Sequence, residues 1–315
     1  MAGRGNGGGA AAAAAAAGGG AGGGAWGAWQ VQPSKFTQLV VDSMKKLYPE
    51  ERADRSWDNV GLLLGNSEST IQHQRPIALV TNDLTWQVCE DAIKQGASVI
   101  AITTSDPQQA TLLRLAQAGI AVYCPHTAVD AAPHGLNTWL ADIVSGPHAS
   151  ERSVAIPCSS SSSASGSGGS GGGGGYGSLG TFAAPVPLVE ILKRLAAQLG
   201  GLRHIMVATP VGGTVRDTAV RSFGVCAGSG YDVLKKADVD LLVTGETSHH
   251  SALRAIQQGR TLVQVFHSNS ERGYLRTVLR AALEQELRAA VPEALVVLSE
   301  FDKDPFSIYS VDELE

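Results

Sequence analysis

Little in this sequence carries charge or an aromatic ring. Of 315 residues, 17% are charged and 5% are aromatic, and the formal net charge is −5. Cysteine is also scarce: Cys89, Cys124, Cys158 and Cys226 lie far apart with no C-x-x-C pair. That excludes a disulfide framework and a zinc ribbon, and it reads as reduced thiols in a cytosol-like compartment. A mildly negative chain lacks the basic patch of a polyanion binder, so no direct nucleic-acid binding is expected. No apolar run approaches the roughly 20 residues that a membrane helix needs. What the chain does have is a 43% hydrophobic content, enough to fill real cores.

Glycine looks abundant until it is located. Residues 1–30 hold 12 Gly and 12 Ala, and residues 159–180 hold 10 Gly and 9 Ser, together 22 of the 38 Gly. Neither stretch carries enough apolar surface to offset its chain entropy. The expected organisation is therefore a disordered tail over 1–30, a first α/β lobe over 31–158, a disordered Gly/Ser linker over 159–180 and a second α/β lobe over 181–315. The tail has one basic residue, Arg4, and no acidic one. A transit peptide is normally richer in Arg and Ser, so a cytoplasmic location is expected, with the mitochondrion as the alternative.

Both lobes alternate helix and strand signals. In the first, Phe36, Leu39, Val40, Met44 and Leu47 recur at helical spacing. Apolar strands follow at 77–81, 99–102 and 120–124, separated by helices at 85–95 and 110–118, with a further helix over 135–144. In the second, helices at 188–199, 249–258 and 270–288 separate strands at 205–208, 220–226, 241–244, 262–266 and 295–298. Continuous apolar strands between helices predict mostly parallel sheets, buried on both faces.

In α/β sheets, ligands sit beyond the carboxyl ends of the strands. The polar residues there are Asn82 and Asp83, Thr103 and Thr104, His126 and Asp130, Gly228 to Gly230, Gly245 and Glu246, and His267 and Glu271. Imidazole and carboxylate suit Zn, Fe, Mn or Ni. His267 ends a strand and Glu271 opens a helix, so both can face one ion. Ser268-x-x-Glu271 also fits a capping box, in which Glu271 merely closes the helix start. His126 and Asp130 can face the sheet's top edge, or serve as a backbone-bonded His and a turn-forming Asp. His249-His250 reads as a helix start after the N-cap Ser248, because adjacent helical residues share no face. Asp58 and Asn59, beside Trp57, either orient a site group or make an Asx-turn. The turn at Ala227–Gly230 lacks the third glycine of a dinucleotide fingerprint and the lysine of a P-loop.

Five motifs in order resemble one family. They are Trp57-Asp-Asn-Val-Gly-Leu62, Pro125-His-Thr-Ala-Val-Asp130-Ala-Ala-Pro-His-Gly-Leu-Asn137, Cys226-Ala-Gly-Ser-Gly230, Leu242-Val-Thr-Gly-Glu-Thr-Ser-His-His250 and His267-Ser-Asn-Ser-Glu-Arg-Gly273. Together they are similar to the NIF three-like family (GTP cyclohydrolase I type 2 homologues), and Glu300-Phe-Asp-Lys-Asp-Pro305 resembles its eukaryotic branch. The resemblance spans Phe36 to Phe306 outside the Gly/Ser stretch. It implies two linked α/β lobes, a two-metal cleft and homo-hexamers built from dimers. It also implies Asp130, His267 and Glu271 as metal ligands, with His126 close by as an acid–base group. The family's His-His-Pro or Tyr-His-Pro stretch is replaced here by Thr103-Thr104-Ser105-Asp106-Pro107. One divalent ion per subunit is therefore expected, with the second site degraded. Two functions follow. One is a metal-dependent hydrolase of a nucleotide-like or phosphorylated small molecule. The other is a non-enzymatic oligomeric interaction protein of the transcriptional co-regulator type.

Overall fold

A computed structural model of the chain describes residues 33–69, 74–102, 109–158, 174–310, 312 and 314. The tail over 1–30 and the Thr103–Pro107 stretch lie outside these residues, as does most of the Gly/Ser stretch.

The helices begin and end where local chemistry dictates. Helix α1 (Lys35–Leu47) is capped by the Ser34 hydroxyl, which accepts from the Thr37 N–H at 3.2 Å. A 3-10 turn (Glu50–Arg52) leads to β1 (Gly61–Leu64) and β2 (Ile77–Thr81). Helix α2 (Trp86–Gln95) is capped by Thr85, and β3 (Val99–Ile102), α3 (Gln109–Gln117) and β4 (Ala121–Cys124) follow. Then come the short α4 (Thr127–Ala131), α5 (Leu136–Ser145), and two long strands, β5 (Ser150–Pro157) and β6 (Gly175–Pro187). The chain continues through α6 (Leu188–Gln198), β7 (Met206–Ala208), β8 (Ala219–Cys226), α7 (Tyr231–Leu234), β9 (Leu241–Thr244) and α8 (His249–Gln257). It ends with β10 (Thr261–Gln264), α9 (Asn269–Tyr274), a π-helical stretch (Leu275–Leu279), α10 (Arg280–Arg288) and β11 (Leu295–Leu298).

Two sheets result, ordered β1-β4-β3-β2-β11 and β5-β6-β8-β9-β10-β7. The first is parallel except at its β1 edge. The second is parallel only in its β8-β9-β10 centre and antiparallel at β5, β6 and β7. Alternate side chains of each strand feed different cores. Leu79, Ile100 and Val122 pack outward with Val88 of α2 and Leu115 of α3. Val80, Ala101 and Tyr123 face inward, into a cluster shared with Leu140, Phe223, Val243, Tyr274 and Leu283. That shared cluster joins the two sheets through one apolar interior, which fixes the strand ends of one against those of the other. Cys226, Leu234, Leu242 and Leu262 cover the second sheet's outer side.

The lobe boundaries at 158 and 181 need redrawing. Strand β5 belongs to the second sheet, and β11 returns to the first, paired with β2 from Leu295↔Ile77 to Leu298↔Val80. Residues 175–180, expected as disordered linker, are ordered strand between β5 and β8. Their glycines are forced by packing: a Cβ on Gly180 would sit 2.2 Å from Cζ of Phe223. The neighbouring ring fills the space that a side chain would otherwise take. The helix expected over 270–288 is interrupted by the π stretch, immediately after Glu271's turn.

Candidate functional site

The site begins where β4 and β10 end. After Cys124, the chain reverses at His126, whose φ of 28° is positive. After Gln264, it does the same at Phe266, with φ 72°, one residue before His267. Among the described residues these are the two non-glycine positions with positive φ. Such geometry costs about 1–3 kcal/mol and persists only where the surroundings impose it. Here it turns the two imidazoles.

Each imidazole is held at Nδ1 by a carboxylate. His126 Nδ1 lies 2.7 Å from Asp58 Oδ1, and His267 Nδ1 lies 2.8 Å from Glu246 Oε1. That fixes the tautomer and leaves Nε2 as the working nitrogen, the pattern seen behind histidines that bind metals or shuttle protons. Asp58 is itself fixed. The Thr127 hydroxyl donates to Oδ2 at 2.6 Å, and the Thr127 N–H at 3.3 Å. Burial works against the Asp58 charge, but the hydrogen bonds from His126 and Thr127 outweigh it and hold its pKa low. Trp57 stands edge-on to His126, with ring centroids 5.6 Å apart. Of the two sequence readings for Asp58, the geometry agrees with a carboxylate that orients a neighbouring side chain, here His126.

His267 Nε2 points at Glu271, 3.4 Å from Oε1. Glu271 is 9% exposed, and its Oε2 is buried with no hydrogen-bond partner. The capping box is not formed: Ser268, itself helical, makes no side-chain cap bond. Instead the pair stands over Gly228, which has φ +60°. A Cβ there would meet Glu271 Oε1 at 2.8 Å and His267 Nε2 at 3.1 Å, so only glycine leaves this space open.

Asp130, half-buried in α4, is brought in from the first sheet. Asn137 clips the two sheets together at this point. Its Nδ2 donates to the Asp130 carbonyl at 3.2 Å, and its Oδ1 accepts from the Ala227 N–H at 2.9 Å. Asp130 interacts electrostatically with His126 and His267, and Glu271 with Asp130 and His126. Burial pushes the Asp130 carboxyl up to about 6 and the Glu271 carboxyl up to about 7. Burial pulls both histidines down, yet the carboxylates raise them further: Asp58 chiefly for His126, Glu271 chiefly for His267. A second clip crosses nearby. Asp302 accepts from the Asn82 N–H at 3.0 Å and lies 3.5 Å from Arg272, next to Glu271.

Carboxylate and imidazole are donor types that suit a divalent cation, and one carboxylate oxygen here, Glu271 Oε2, is buried without a partner. Among the described residues, no group of three or more His, Cys, Asp or Glu side chains is placed to hold a metal ion, the expected set of Asp130, His267 and Glu271 included. His249 and His250 are exposed at the start of α8, where Ser248 caps Ser251, away from this arrangement. Sequence reasoning placed Glu246 only as a residue past a strand. Its hold on His267 has no local signal, because 21 residues separate them.

Fold and site together define a class: an α/β protein whose two sheets present His and carboxylate side chains from their strand ends to a common polar centre. The family model for Duf34/NIF3 (NGG1p interacting factor 3) matches residues 37–305, and the chain belongs to that family. It is 38% identical over 278 residues to a Schizosaccharomyces pombe NIF3 homologue, covering 84% of this chain and 95% of that one. It is 34% identical to the NGG1-interacting factor 3 of Saccharomyces cerevisiae, covering 85% and 96%. The fold is shared with a Bacillus cereus protein related to NIF3, at 17% identity and a TM-score of 0.66 over 88% of this chain and all of that one. No helix among the described residues is long and apolar enough to cross a membrane.

Proposed function

We propose that the chain is a divalent-metal-dependent, hydrolase-like protein acting on a small molecule. Asp130, His267 and Glu271 would hold the ion, about one per subunit. The donor set does not choose among Zn, Fe, Mn and Ni. A divalent cation there would supply Lewis acidity at a scissile bond. His126, with Nδ1 bonded to Asp58, would move a proton at Nε2. Glu246 holds the His267 ring so that Nε2 faces the same space. The observation that carries this reading is Glu271: a buried carboxylate with an unpartnered oxygen, beside His267 Nε2 over a glycine that admits no side chain. The family resemblance supports a homo-hexamer as the assembled form, and the tail composition supports a cytoplasmic location, with the mitochondrion as the alternative.

Metal analysis of the purified full chain, equilibrated with each of the four metals and desalted, tests the proposal. About one ion per subunit is expected, lost in Asp130→Asn, His267→Gln and Glu271→Gln. Retention of no ion by the wild type, or unchanged retention by all three variants, refutes it. The name of the Saccharomyces cerevisiae relative, an NGG1-interacting factor, supports a second reading: an oligomeric interaction protein in which the polar centre does no chemistry. A wild type that retains no ion would favour it.

A further inference from the structure

Two cavities share Glu246 in their lining, and the second is also lined by His267. The first encloses about 360 Å³ between the end of β8 and the start of α8. The second encloses about 480 Å³ beneath the C-terminal segment. Both lie in the size range of small-molecule sites.

Their walls differ in chemistry. The first is lined by the hydroxyl-bearing residues Ser229, Tyr231, Thr247, Ser248 and Ser251, with Asp232 and Glu246 as its carboxylates. Tyr231 is 4% exposed, and its hydroxyl has no hydrogen-bond partner. Hydroxyls both donate and accept, and a carboxylate accepts two O–H groups at once, so such a wall suits a vicinal diol. The second has the rings of Phe266 and Phe306 beside the carboxylates of Asp83, Glu246 and Asp304. Phe306 is 75% exposed. Aromatic faces with acceptors at the rim suit a flat ring that carries N–H donors.

Neither wall contains Lys or Arg among the described residues. Lys235 is paired with Asp232 at 2.9 Å, and Arg203 lines a separate cavity of about 120 Å³ that shares the Phe306 wall. A phosphate in either compartment would face carboxylates with no Lys or Arg among the described lining residues opposite it, and the neighbouring Lys235 is already engaged by Asp232; like charges brought together repel partners of that sign.

We infer that this cleft takes an unphosphorylated, hydroxylated small molecule, with a vicinal diol in the compartment of Ser229 and Ser251 and a flat N–H-bearing ring beside Phe266 and Phe306. The inference deepens the proposed function and rests on it for one point, that the bound molecule lies next to the reacting residues. Glu246, shared by both compartments and bonded to His267, is the link.

The test uses the full chain in chelator, so that it does not depend on metal binding. Adenosine supplies both the diol and the amine-bearing ring. Its 2′,3′-dideoxy analogue lacks the diol, and its 5′-monophosphate adds the charge. Equilibrium titration by calorimetry or saturation-transfer NMR should show adenosine binding. Dideoxyadenosine should bind about tenfold more weakly, the loss expected from one or two hydrogen bonds. The monophosphate should also bind about tenfold more weakly, from charge repulsion. Ser251→Ala and Phe306→Ala should each lower adenosine affinity while leaving metal content unchanged. No saturable adenosine binding up to millimolar concentration overturns the inference. So does equal binding of the dideoxy analogue, or monophosphate binding as tight as adenosine. Metal content measured on portions of the same preparations equilibrated with metal without chelator separates the outcomes. Loss of the metal reading with adenosine discrimination intact leaves the subsites standing, and the reverse leaves the metal centre standing.

Discussion

Replacing Glu271 by Gln should stabilise the metal-free protein and at the same time remove its metal. Burial raises the Glu271 carboxyl from 4.5 to about 7. In the unfolded chain it ionises above its ordinary value, whereas in the folded chain it stays protonated until about 7. Folding is therefore fully supported by this group below pH 4.5. That support is lost as pH rises, and the loss is complete above pH 7. At about 1.4 kcal/mol per pH unit, the loss is about 3 kcal/mol at pH 8. The amide of Gln has the same shape and no charge, so it escapes the loss. It leaves one polar group unpartnered where Oε2 now lies, which costs about 1 kcal/mol. The net gain is about 2 kcal/mol at pH 8, or about 4 °C in Tm for a chain of this size. At pH 5 most of the gain disappears, because both forms are then neutral. Thermal unfolding followed by circular dichroism in chelator, at pH 5 and pH 8, measures the difference. Adding metal should raise the wild-type Tm, by about 2.7 kcal/mol of stability at a hundredfold excess over Kd, and leave the variant unmoved. Parallel pH profiles for the two proteins, or a variant less stable than wild type at pH 8, would refute the account of Glu271 as a charge buried for binding.

Four further outcomes are expected. Replacing residues 159–173 by a short Gly/Ser turn should leave Tm within about 2 °C, because loop closure entropy changes slowly with length, whereas extending the deletion through residue 180 should abolish folding by removing the part of β6 that pairs with β5 and β8; equal Tm loss for the two changes would contradict this. Asp58→Asn should lower the His126 pKa, since the Asp58 carboxylate is the chief group raising it, and an NMR titration of the metal-free protein that shows no decrease would remove Asp58 as its positioning partner. Light scattering at micromolar concentration should give a homo-oligomer, a hexamer by family resemblance, and a monomer would end that expectation. Thr104→His should raise metal content above the wild-type value by restoring an imidazole where the family motif has one; unchanged content would show that this position does not reach the centre.

Where a signal was local, the sequence carried it. Strand runs such as Ile77–Thr81 and Leu241–Thr244 are apolar at every position because both faces are covered, and they fall as expected. Helix starts at Ser34, Thr85 and Ser248 follow from hydroxyls that accept a backbone N–H three residues on. Strand order was not legible. The pairing of β11 with β2 spans more than 200 residues, and nothing in Leu295–Leu298 distinguishes one sheet from the other. Strand β6 was hidden by composition, since glycines that admit a ring of Phe223 look the same as glycines of a flexible linker until the ring is in place.

The site divides the same way. His126 with Asp130, and His267 with Glu271, each fall within one short segment past a strand; their residue types made them candidates, and the family resemblance implied their roles. The groups that hold them are remote in sequence: Asp58 for His126, 68 residues away, and Asn137 for the Ala227 loop, 90 residues away. The rival reading of Glu271 as a helix cap could be settled only in three dimensions. Ser268 and Glu271 have the spacing of a capping box, but the chain enters the helix with Ser268 already helical, so the serine cannot cap it. Gly228 then decides where the carboxylate stands. Its missing side chain is the space that His267 and Glu271 share, and an alanine there would meet both within about 3 Å. A glycine that sequence reasoning could explain as a tight strand-to-helix turn is thus the floor of the candidate centre.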